Sequence, residues 1–162
     1  MRPLFVLASG AAIVMACAPP PPGPLPPAGT VVEVIDGDTL IVRSGSDDVI
    51  VRLLGIDTPE VAHHGNPDEC GGPEAAVRLA QMVPPGTSVQ LARDTETRDA
   101  YGRLLAYVIR SADGVVVNVQ LAVEGHATPL VIAPNRALAD PIAAAVADAR
   151  RAGLGIWGTC GF

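Results

Sequence analysis

Three short runs of mainly β-branched and aliphatic residues, separated by tight-turn residues, place the strongest constraint on how this chain can fold. The runs span residues 30–35, 39–43 and 49–54. Between them lie Asp36-Gly37-Asp38 and Ser44-Gly45-Ser46-Asp47-Asp48. Val, Ile and Thr favour extended backbone, whereas Asp, Gly and Ser favour turns. The sequence therefore predicts three consecutive strands, of which the third returns antiparallel to the second.

Two more strands and three helices are predicted further along the chain. The strands span residues 88–92 and 104–109, and the helices span residues 73–83, residues 116–124 and a last segment that begins at Asp140. Pro73 suits the first turn of a helix, Gly125 suits a helix end, and Asp140-Pro141 suits a capped helix start. Five short strands with interspersed helices predict a mainly β fold of the α+β class. The expected architecture is a small five-stranded barrel covered by about three helices.

The N-terminal residues have the composition of an export signal followed by a linker. An uncharged apolar run within residues 1–16 is too short to span a bilayer comfortably but suits a signal peptide. It ends at Cys17 in a context that resembles a bacterial lipobox, so lipidation of Cys17 is predicted, with secretion without a lipid as the alternative. Residues 17–29 are rich in proline and predict an extended tether, which leaves residues 30–162 as the folded domain. The predicted location is the cell envelope, as a lipoprotein, or the medium, as a secreted protein.

The remaining cysteines form an even pair. Once Cys17 is set aside, only Cys70 and Cys160 are left. In an exported domain such a pair predicts a disulfide, here between a mid-chain loop and the C-terminus. Two free buried cysteines are the alternative.

Acidic residues and arginines occur in short clusters whose chemistry suits a phosphodiester. The clusters are Asp36-Gly37-Asp38-Thr39, Arg52, Asp57-Thr58-Pro59-Glu60 and Tyr101-Gly102-Arg103. Carboxylates can hold a hard divalent cation, and arginine forks bind phosphoryl oxygens in a bidentate manner. A carboxylate that is not used for the cation can activate water.

The overall charge argues against tight, nonspecific binding to a polyanion. The formal net charge is −6, and all 11 basic residues are arginine. Proteins that bind nucleic acid tightly through its backbone are usually basic. The sequence therefore predicts weak contact at a local basic site, with a rate that depends strongly on salt concentration.

The ordered set of motifs resembles the staphylococcal nuclease (thermonuclease) family. The matching segments run in family order over residues 30–158, and they are Val34-Ile35-Asp36-Gly37-Asp38-Thr39, Arg52-Leu53-Leu54-Gly55-Ile56-Asp57-Thr58-Pro59-Glu60, Gly72-Pro73-Glu74-Ala75, Asp99-Ala100-Tyr101-Gly102-Arg103-Leu104-Leu105-Ala106-Tyr107 and Gly155-Ile156-Trp157. The resemblance implies an OB-type five-stranded barrel with three helices and one bound Ca²⁺. It also implies hydrolysis of DNA and RNA phosphodiesters to products with a 3′-phosphate and a free 5′-hydroxyl.

The same resemblance implies a role for each matching position. Asp38 and Asp57 would bind Ca²⁺ through carboxylate oxygens, and Thr58 would bind it through its backbone carbonyl. Glu60 would orient or deprotonate the attacking water. The two arginines would bind the phosphate from opposite sides, Arg52 at a phosphoryl oxygen and Arg103 at the leaving oxygen. Asp36 would lie behind the metal ligands. Tyr101 would contact a terminal phosphate of the substrate.

One departure from the family pattern concerns substrate binding. The family has tyrosines just before its Pro-Asn turn, whereas this chain has Leu130-Val131-Ile132-Ala133-Pro134-Asn135. Because stacking on an aromatic ring contributes about 1–3 kcal/mol per base, weaker substrate binding is expected. Two alternatives to a monomeric nuclease remain open. One is a noncatalytic OB-type lipoprotein that binds nucleic acid, and the other is an envelope lipoprotein whose barrel is only structural.

Overall fold

A five-stranded closed barrel forms the body of the molecule, and the computed structural model describes residues 28–62 and 65–161 of the chain. The barrel strands follow one another in the order β1-β2-β3-β6-β5. All neighbouring pairs are antiparallel except β3 and β6, which run parallel. The strands are β1 (Ala28–Val34), β2 (Thr39–Ser44), β3 (Asp47–Leu53), β4 (Gly55–Asp57), β5 (Ser88–Ala92), β6 (Leu104–Arg110) and β7 (Thr128–Leu130), of which β4 and β7 form a separate antiparallel pair.

Three helices cover the barrel, and a fourth, of a single turn, lies near the C-terminus. They are α1 (Gly72–Met82), α2 (Val117–Val123), α3 (Ala139–Ala152) and α4 (Ile156–Thr159). Gly125 follows α2 with a φ of 79°, a left-handed conformation that glycine adopts readily and that stops a helix. The prediction of a five-stranded OB-type barrel with about three helices is therefore confirmed. The β4–β7 pair and α4 were not predicted.

Several element boundaries differ from those predicted. The first strand begins at Ala28, so the last two residues of the predicted tether pair with β5. The turn between β2 and β3 contains only Gly45 and Ser46, because Asp48 extends β3 and its carboxylate binds Arg43 across the hairpin at 2.8 Å. The prediction that Asp140 caps α3 was wrong. The helix begins at Ala139, so Asp140 lies inside its first turn, where a negative charge still suits the helix dipole.

The hydrophobic core fills the barrel and the space beneath the helices. Alternate residues of the strands point inward, as the period of two in a strand requires. Leu79 of α1, Leu121 of α2 and Ile142 of α3 are completely buried against the barrel. The strands contribute further fully buried residues, which include Leu40, Val42, Val51 and Leu91. The packed barrel therefore provides a rigid support for the turns and strand ends that carry the candidate site.

A buried amide fastens the parallel pair of strands. Asn118 of α2 is completely buried, and its Nδ2 donates to the carbonyl oxygens of Leu54 at 2.8 Å and Ala106 at 3.2 Å. Its Oδ1 accepts a hydrogen bond from the amide of Val108 at 2.9 Å. Because β3 and β6 pair over only three residues, Asn118 extends their connection beyond the end of the ladder.

A disulfide joins Cys70 to Cys160, as the cysteine count predicted. The bond links the loop before α1 to the residue after α4. The predicted signal peptide, the lipidation site Cys17 and most of the tether lie outside the described residues. Within residues 28–62 and 65–161, no helix is long and apolar enough to cross a membrane.

Candidate active site

The turn between β1 and β2 directs Asp38 into the interior. Asp36 Oδ1 accepts a hydrogen bond from the amide of Asp38 at 2.9 Å, which closes the turn. A Cβ on Gly37 would lie 2.5 Å from Thr58 Oγ1, so only glycine fits where the turn meets the Asp57–Glu60 segment. Asp38 Oδ2 in turn accepts a hydrogen bond from the amide of Thr58 at 3.0 Å. The two acidic motifs, about twenty residues apart in the sequence, are therefore joined through one carboxylate.

Arg52 lies at the centre of this arrangement. Its Nη1 donates to the carbonyl oxygens of Leu53 at 2.7 Å and Ile56 at 2.9 Å. Its Nη2 contacts Asp57 Oδ1 at 2.8 Å and Asp38 Oδ2 at 2.9 Å. Only 13% of the Arg52 side chain is exposed, so its head lies in a polar interior and not on the outer face of the strand.

The two carboxylates converge on one point, which is occupied by the positive charge of Arg52. Burial raises the pKa of Asp38 to about 6, and the positive charge of Arg52 opposes this rise. Hard carboxylate oxygens around one point of positive charge suit a cation such as Ca²⁺ or Mg²⁺. The described residues contain no group of three or more His, Cys, Asp or Glu side chains that could hold a metal. A metal bound here would therefore need backbone or water oxygens besides Asp38 and Asp57, and the neighbouring Thr58 carbonyl is a candidate.

A second arginine faces the same cleft from the segment before β6. Arg52 and Arg103 both line a cavity of about 320 Å³. Asp99 fixes Arg103, because its carboxylate accepts hydrogen bonds from Arg103 Nε at 2.6 Å and from the Arg103 amide at 2.9 Å. Burial raises the pKa of Asp99, but the hydrogen bonds from Arg103 outweigh burial and hold the pKa below its usual value. Among the described residues the terminal nitrogens of Arg103 have no hydrogen-bond partner, so they can bind an anion in the cleft.

Tyr101 lies at the mouth of the cleft. Its side chain is 86% exposed, and its ring centroid is 5.6 Å from the Arg103 guanidinium carbon. The amide of Tyr101 donates to Asp99 Oδ1 at 3.0 Å, so the same carboxylate organises both residues. This position allows Tyr101 to contact a substrate that extends beyond the cleft.

Aliphatic residues form one wall of the cleft, at the stretch where the family pattern has tyrosines and this sequence has none. Leu130 and Ile132 line the cavity, and 61% of Ile132 is exposed. Asn135 supports this wall, since its side chain accepts from the Glu96 amide at 2.7 Å and donates to the Glu96 carbonyl at 3.1 Å. The wall offers an apolar surface but no aromatic ring to a base.

Glu60 lies next to the site and not inside the cleft that the two arginines share. It is exposed and lines a neighbouring cavity of about 420 Å³ with residues 66–69. Among the described residues its carboxylate makes no hydrogen bond or ion pair. The structure therefore brings Asp38, Arg52 and Asp57 into direct contact, places Arg103 in the lining of the cleft that Arg52 also lines and leaves Glu60 on an adjacent loop.

Two supporting residues were not recognised as site residues in the sequence. Asp99 accepts hydrogen bonds from both Tyr101 and Arg103. The signal in the sequence was its position, since an Asp two residues before a Tyr-Gly pair often closes a turn through its side chain. Glu69 binds the backbone of Glu60 from nine residues away. No sequence pattern indicates that contact.

Comparisons with known proteins identify the group to which this arrangement belongs. A family model described as Staphylococcal nuclease homologue matches residues 50–159. The chain belongs to the staphylococcal nuclease family. The family predicted from the motifs is therefore confirmed.

Individual relatives extend the match toward the N-terminal strands. A protein named Thermonuclease from Staphylococcus intermedius is 38% identical over 127 residues, which cover 78% of this chain and 74% of that protein. Thermonuclease from Staphylococcus hyicus is 34% identical over 127 residues, which cover 78% of this chain and 73% of that protein. Endonuclease YncB from Bacillus subtilis (strain 168) is 36% identical over 136 residues, which cover 82% of this chain but only 63% of that protein.

Proposed function

We propose that this member of the staphylococcal nuclease family is a metal-dependent nuclease that hydrolyses phosphodiesters of DNA and RNA. The observation that carries the proposal is the convergence of Asp38 and Asp57 on one point, with Arg52 and Arg103 lining the adjacent cleft. Cationic groups on both sides of a phosphate stabilise the charge that develops during displacement at phosphorus. Relatives named Thermonuclease and Endonuclease support the same activity.

The proposed metal is Ca²⁺, held by Asp38, Asp57 and the backbone carbonyl of Thr58. The donor set supports this choice, because carboxylate and carbonyl oxygens with additional water are ligands that Ca²⁺ accepts readily. When bound, the ion would polarise a phosphoryl oxygen and neutralise its charge. Asp36 supports the set from behind, since it fixes the turn that carries Asp38.

The proposed reaction is an in-line attack of water on phosphorus. Glu60 accepts a proton from the attacking water, a new P–O bond forms, and the P–O5′ bond breaks. The 5′ oxygen takes up a proton from solvent water and leaves as a hydroxyl, Glu60 releases the proton that it accepted to solvent, and the phosphate stays on the 3′ oxygen. Arg52 binds a phosphoryl oxygen, Arg103 stabilises the leaving side, and Tyr101 contacts a terminal phosphate.

Substrate binding is expected to be weak and sensitive to salt. The wall formed by Leu130 and Ile132 cannot stack a base as an aromatic ring does. The net charge of −6 repels a polyanion at long range, so the two arginines must attract it locally. Catalysis does not require the missing tyrosines, which is why we propose an enzyme that binds its substrate weakly and not an inactive protein.

The proposed location is outside the cytoplasm, and the enzyme is proposed to act as a monomer. The N-terminal composition supports export, with attachment to the membrane through a lipid on Cys17. Release of the Cys17→Ser protein from the membrane fraction into the medium would support the anchor. An unchanged membrane fraction would oppose it.

The test of the activity uses oligonucleotides of DNA and RNA, with and without Ca²⁺. We expect Ca²⁺-dependent cleavage with 3′-phosphate ends, and we expect Glu60→Ala, Arg52→Ala and Arg103→Ala each to lower turnover by about 10²–10⁴. Arg43→Ala is the matched control, because this exposed arginine pairs, within the part of the chain that the structure describes, with Asp48 on the β2–β3 hairpin and not with a site residue. Tight oligonucleotide binding without cleavage would instead favour a noncatalytic binding module.

A further inference from the structure

The backbone of Glu60 is held from both sides by a second acidic residue. The amide of Glu60 donates to Glu69 Oε2 at 3.0 Å. The carbonyl of Glu60 accepts a hydrogen bond from the amide of Glu69 at 2.9 Å. Because the carboxylate of Glu60 has no partner among the described residues, its reach depends on where this backbone is fixed.

The same loop is packed closely onto the start of α1. The amide of Gly72 donates to the carbonyl of Glu69 at 3.0 Å, and a Cβ on Gly72 would lie 2.4 Å from the carbonyl oxygen of Glu60. A side chain at position 72 would therefore push the Glu60 backbone away from the helix. Asp68 adds a further contact, since its Oδ1 accepts a hydrogen bond from the amide of Ala62 at 2.7 Å.

Glu69 itself is attached to a rigid part of the protein. It precedes Cys70, which is bonded to Cys160 at the end of α4. Gly71 lies against Ile156 of α4, where a Cβ would approach the Ile156 side chain to 2.4 Å. The link from α4 through the disulfide to Glu69 therefore gives the loop a fixed base.

We propose that Glu69 is a positioning residue that sets the location of the Glu60 carboxylate through the Glu60 backbone. The inference rests on the proposed role of Glu60 as the group that accepts the water proton. A carboxylate binds a backbone N–H more strongly than a neutral acceptor does. Displacement of a reacting group by about 1 Å can cost a factor of 10² in rate, so the loss of this contact should be visible in kcat.

The experiment is a double-mutant cycle between Glu60 and Glu69. We expect Glu69→Ala to lower kcat by about tenfold to a hundredfold, with KM changed by less than about threefold. Glu69→Gln keeps an oxygen that can accept the hydrogen bond and should restore most of the rate. In the Glu60→Ala background, Glu69→Ala should have no further effect on kcat.

A second measurement follows the contact directly. Hydrogen exchange of the Glu60 amide should become faster in Glu69→Ala, whereas exchange of barrel amides should stay unchanged. Glu33→Ala is the matched control, since Glu33 is an exposed acid on β1 and should leave both kcat and the exchange rate unaltered.

The outcomes separate this inference from the proposed function. If Glu60→Ala retains the parent kcat, the proposed role of Glu60 fails. If Glu60→Ala is slow but Glu69→Ala retains the parent kcat, or lowers it equally in both backgrounds, the positioning role alone is overturned. Slower turnover in Glu69→Ala without faster exchange of the Glu60 amide would also overturn it.

Discussion

Replacement of Asn118 by alanine tests how the barrel is held together below the candidate site. The side chain is completely buried and makes three hydrogen bonds, to the Leu54 carbonyl, the Ala106 carbonyl and the Val108 amide. In Asn118→Ala all three are lost. The Ala106 carbonyl still accepts a hydrogen bond from the Leu54 amide at 3.0 Å, so two buried groups, the Leu54 carbonyl and the Val108 amide, would be left without the partner that Asn118 supplies.

The cost follows from those two groups. A buried polar group without a partner costs about 1–3 kcal/mol, so the free energy of unfolding should fall by about 2–6 kcal/mol. Asn118→Asp has nearly the same shape and keeps an acceptor for Val108, but its oxygens face two carbonyl oxygens. At neutral pH we expect it to be at least as destabilising as Asn118→Ala, because it also buries a charge.

Urea unfolding monitored by circular dichroism provides the measurement, and hydrogen exchange of the Val108 amide reports the site itself. Asn66→Ala, at an exposed loop position, is the control and should change stability by less than about 0.5 kcal/mol. A loss below about 1 kcal/mol in Asn118→Ala, at an unchanged m-value, would refute the reasoning. It would mean that water or a shift of α2 satisfies the two groups at little cost.

Three further predictions concern the disulfide, a half-buried histidine and the cleft wall. The Cys70–Cys160 bond spans 90 residues, so replacing both cysteines by serine should lower the free energy of unfolding by about 4–5 kcal/mol. Calorimetry should then show a Tm lower by roughly 10–20 °C. A Tm within about 3 °C of the parent would contradict this. Burial lowers the pKa of His126, so protonation favours the unfolded state, and stability should fall as the pH drops below about 6.5. As the pH is lowered, the urea midpoint should fall less in His126→Leu than in the parent. An equal fall in both proteins would contradict the assignment of this pH dependence to His126. Ile132→Tyr should lower KM for oligonucleotides by roughly fivefold or more through stacking, while Ile132→Leu should not; equal KM values would show that the wall does not contact a base.

The barrel could be predicted because its strands carry their signal locally. The segment 88–92 was predicted with the correct bounds, since alternate residues such as Val89 and Leu91 face the core and Pro-Gly precedes it. The pair β4–β7 was missed because strands of three residues are too short to show a period of two. The helix start at Ala139 was missed because Leu138 has no side chain that can cap it.

The sequence predicted three side chains that the structure brings together, but it did not indicate how they are connected. The motifs identified Asp38, Arg52 and Asp57, and the structure brings these side chains into contact. Their hydrogen bonds depend on tertiary packing, so the sequence could not indicate that Arg52 binds both carboxylates at once. The contacts of Glu69 and Asn118 could not be predicted for the same reason. Glu69 binds a backbone group nine residues away in the chain, and Asn118 binds buried backbone groups of other elements.

The contacts of Arg52 lead to a prediction about metal binding that does not depend on turnover. Nη1 donates to two carbonyl oxygens, and Nη2 occupies the point on which Asp38 and Asp57 converge. A metal held by Asp38 and Asp57 would take the place of this positive charge. The Arg52 guanidinium would then be free to bind a phosphoryl oxygen, which would couple metal binding to substrate binding.

If this competition is real, Arg52→Gln should bind Ca²⁺ more tightly than the parent, since it removes both the competing cation and its repulsion of the bound ion. Calorimetric titration with Ca²⁺, without substrate, measures the effect, and Arg103→Gln is the matched control because Arg103 pairs with Asp99 and not with Asp38 or Asp57. Metal affinity that falls in Arg52→Gln would show instead that Arg52 holds the carboxylates in place for the ion. Arg52 would then assist the binding of both the metal ion and the phosphate, and it would not compete with the metal ion for Asp38 and Asp57.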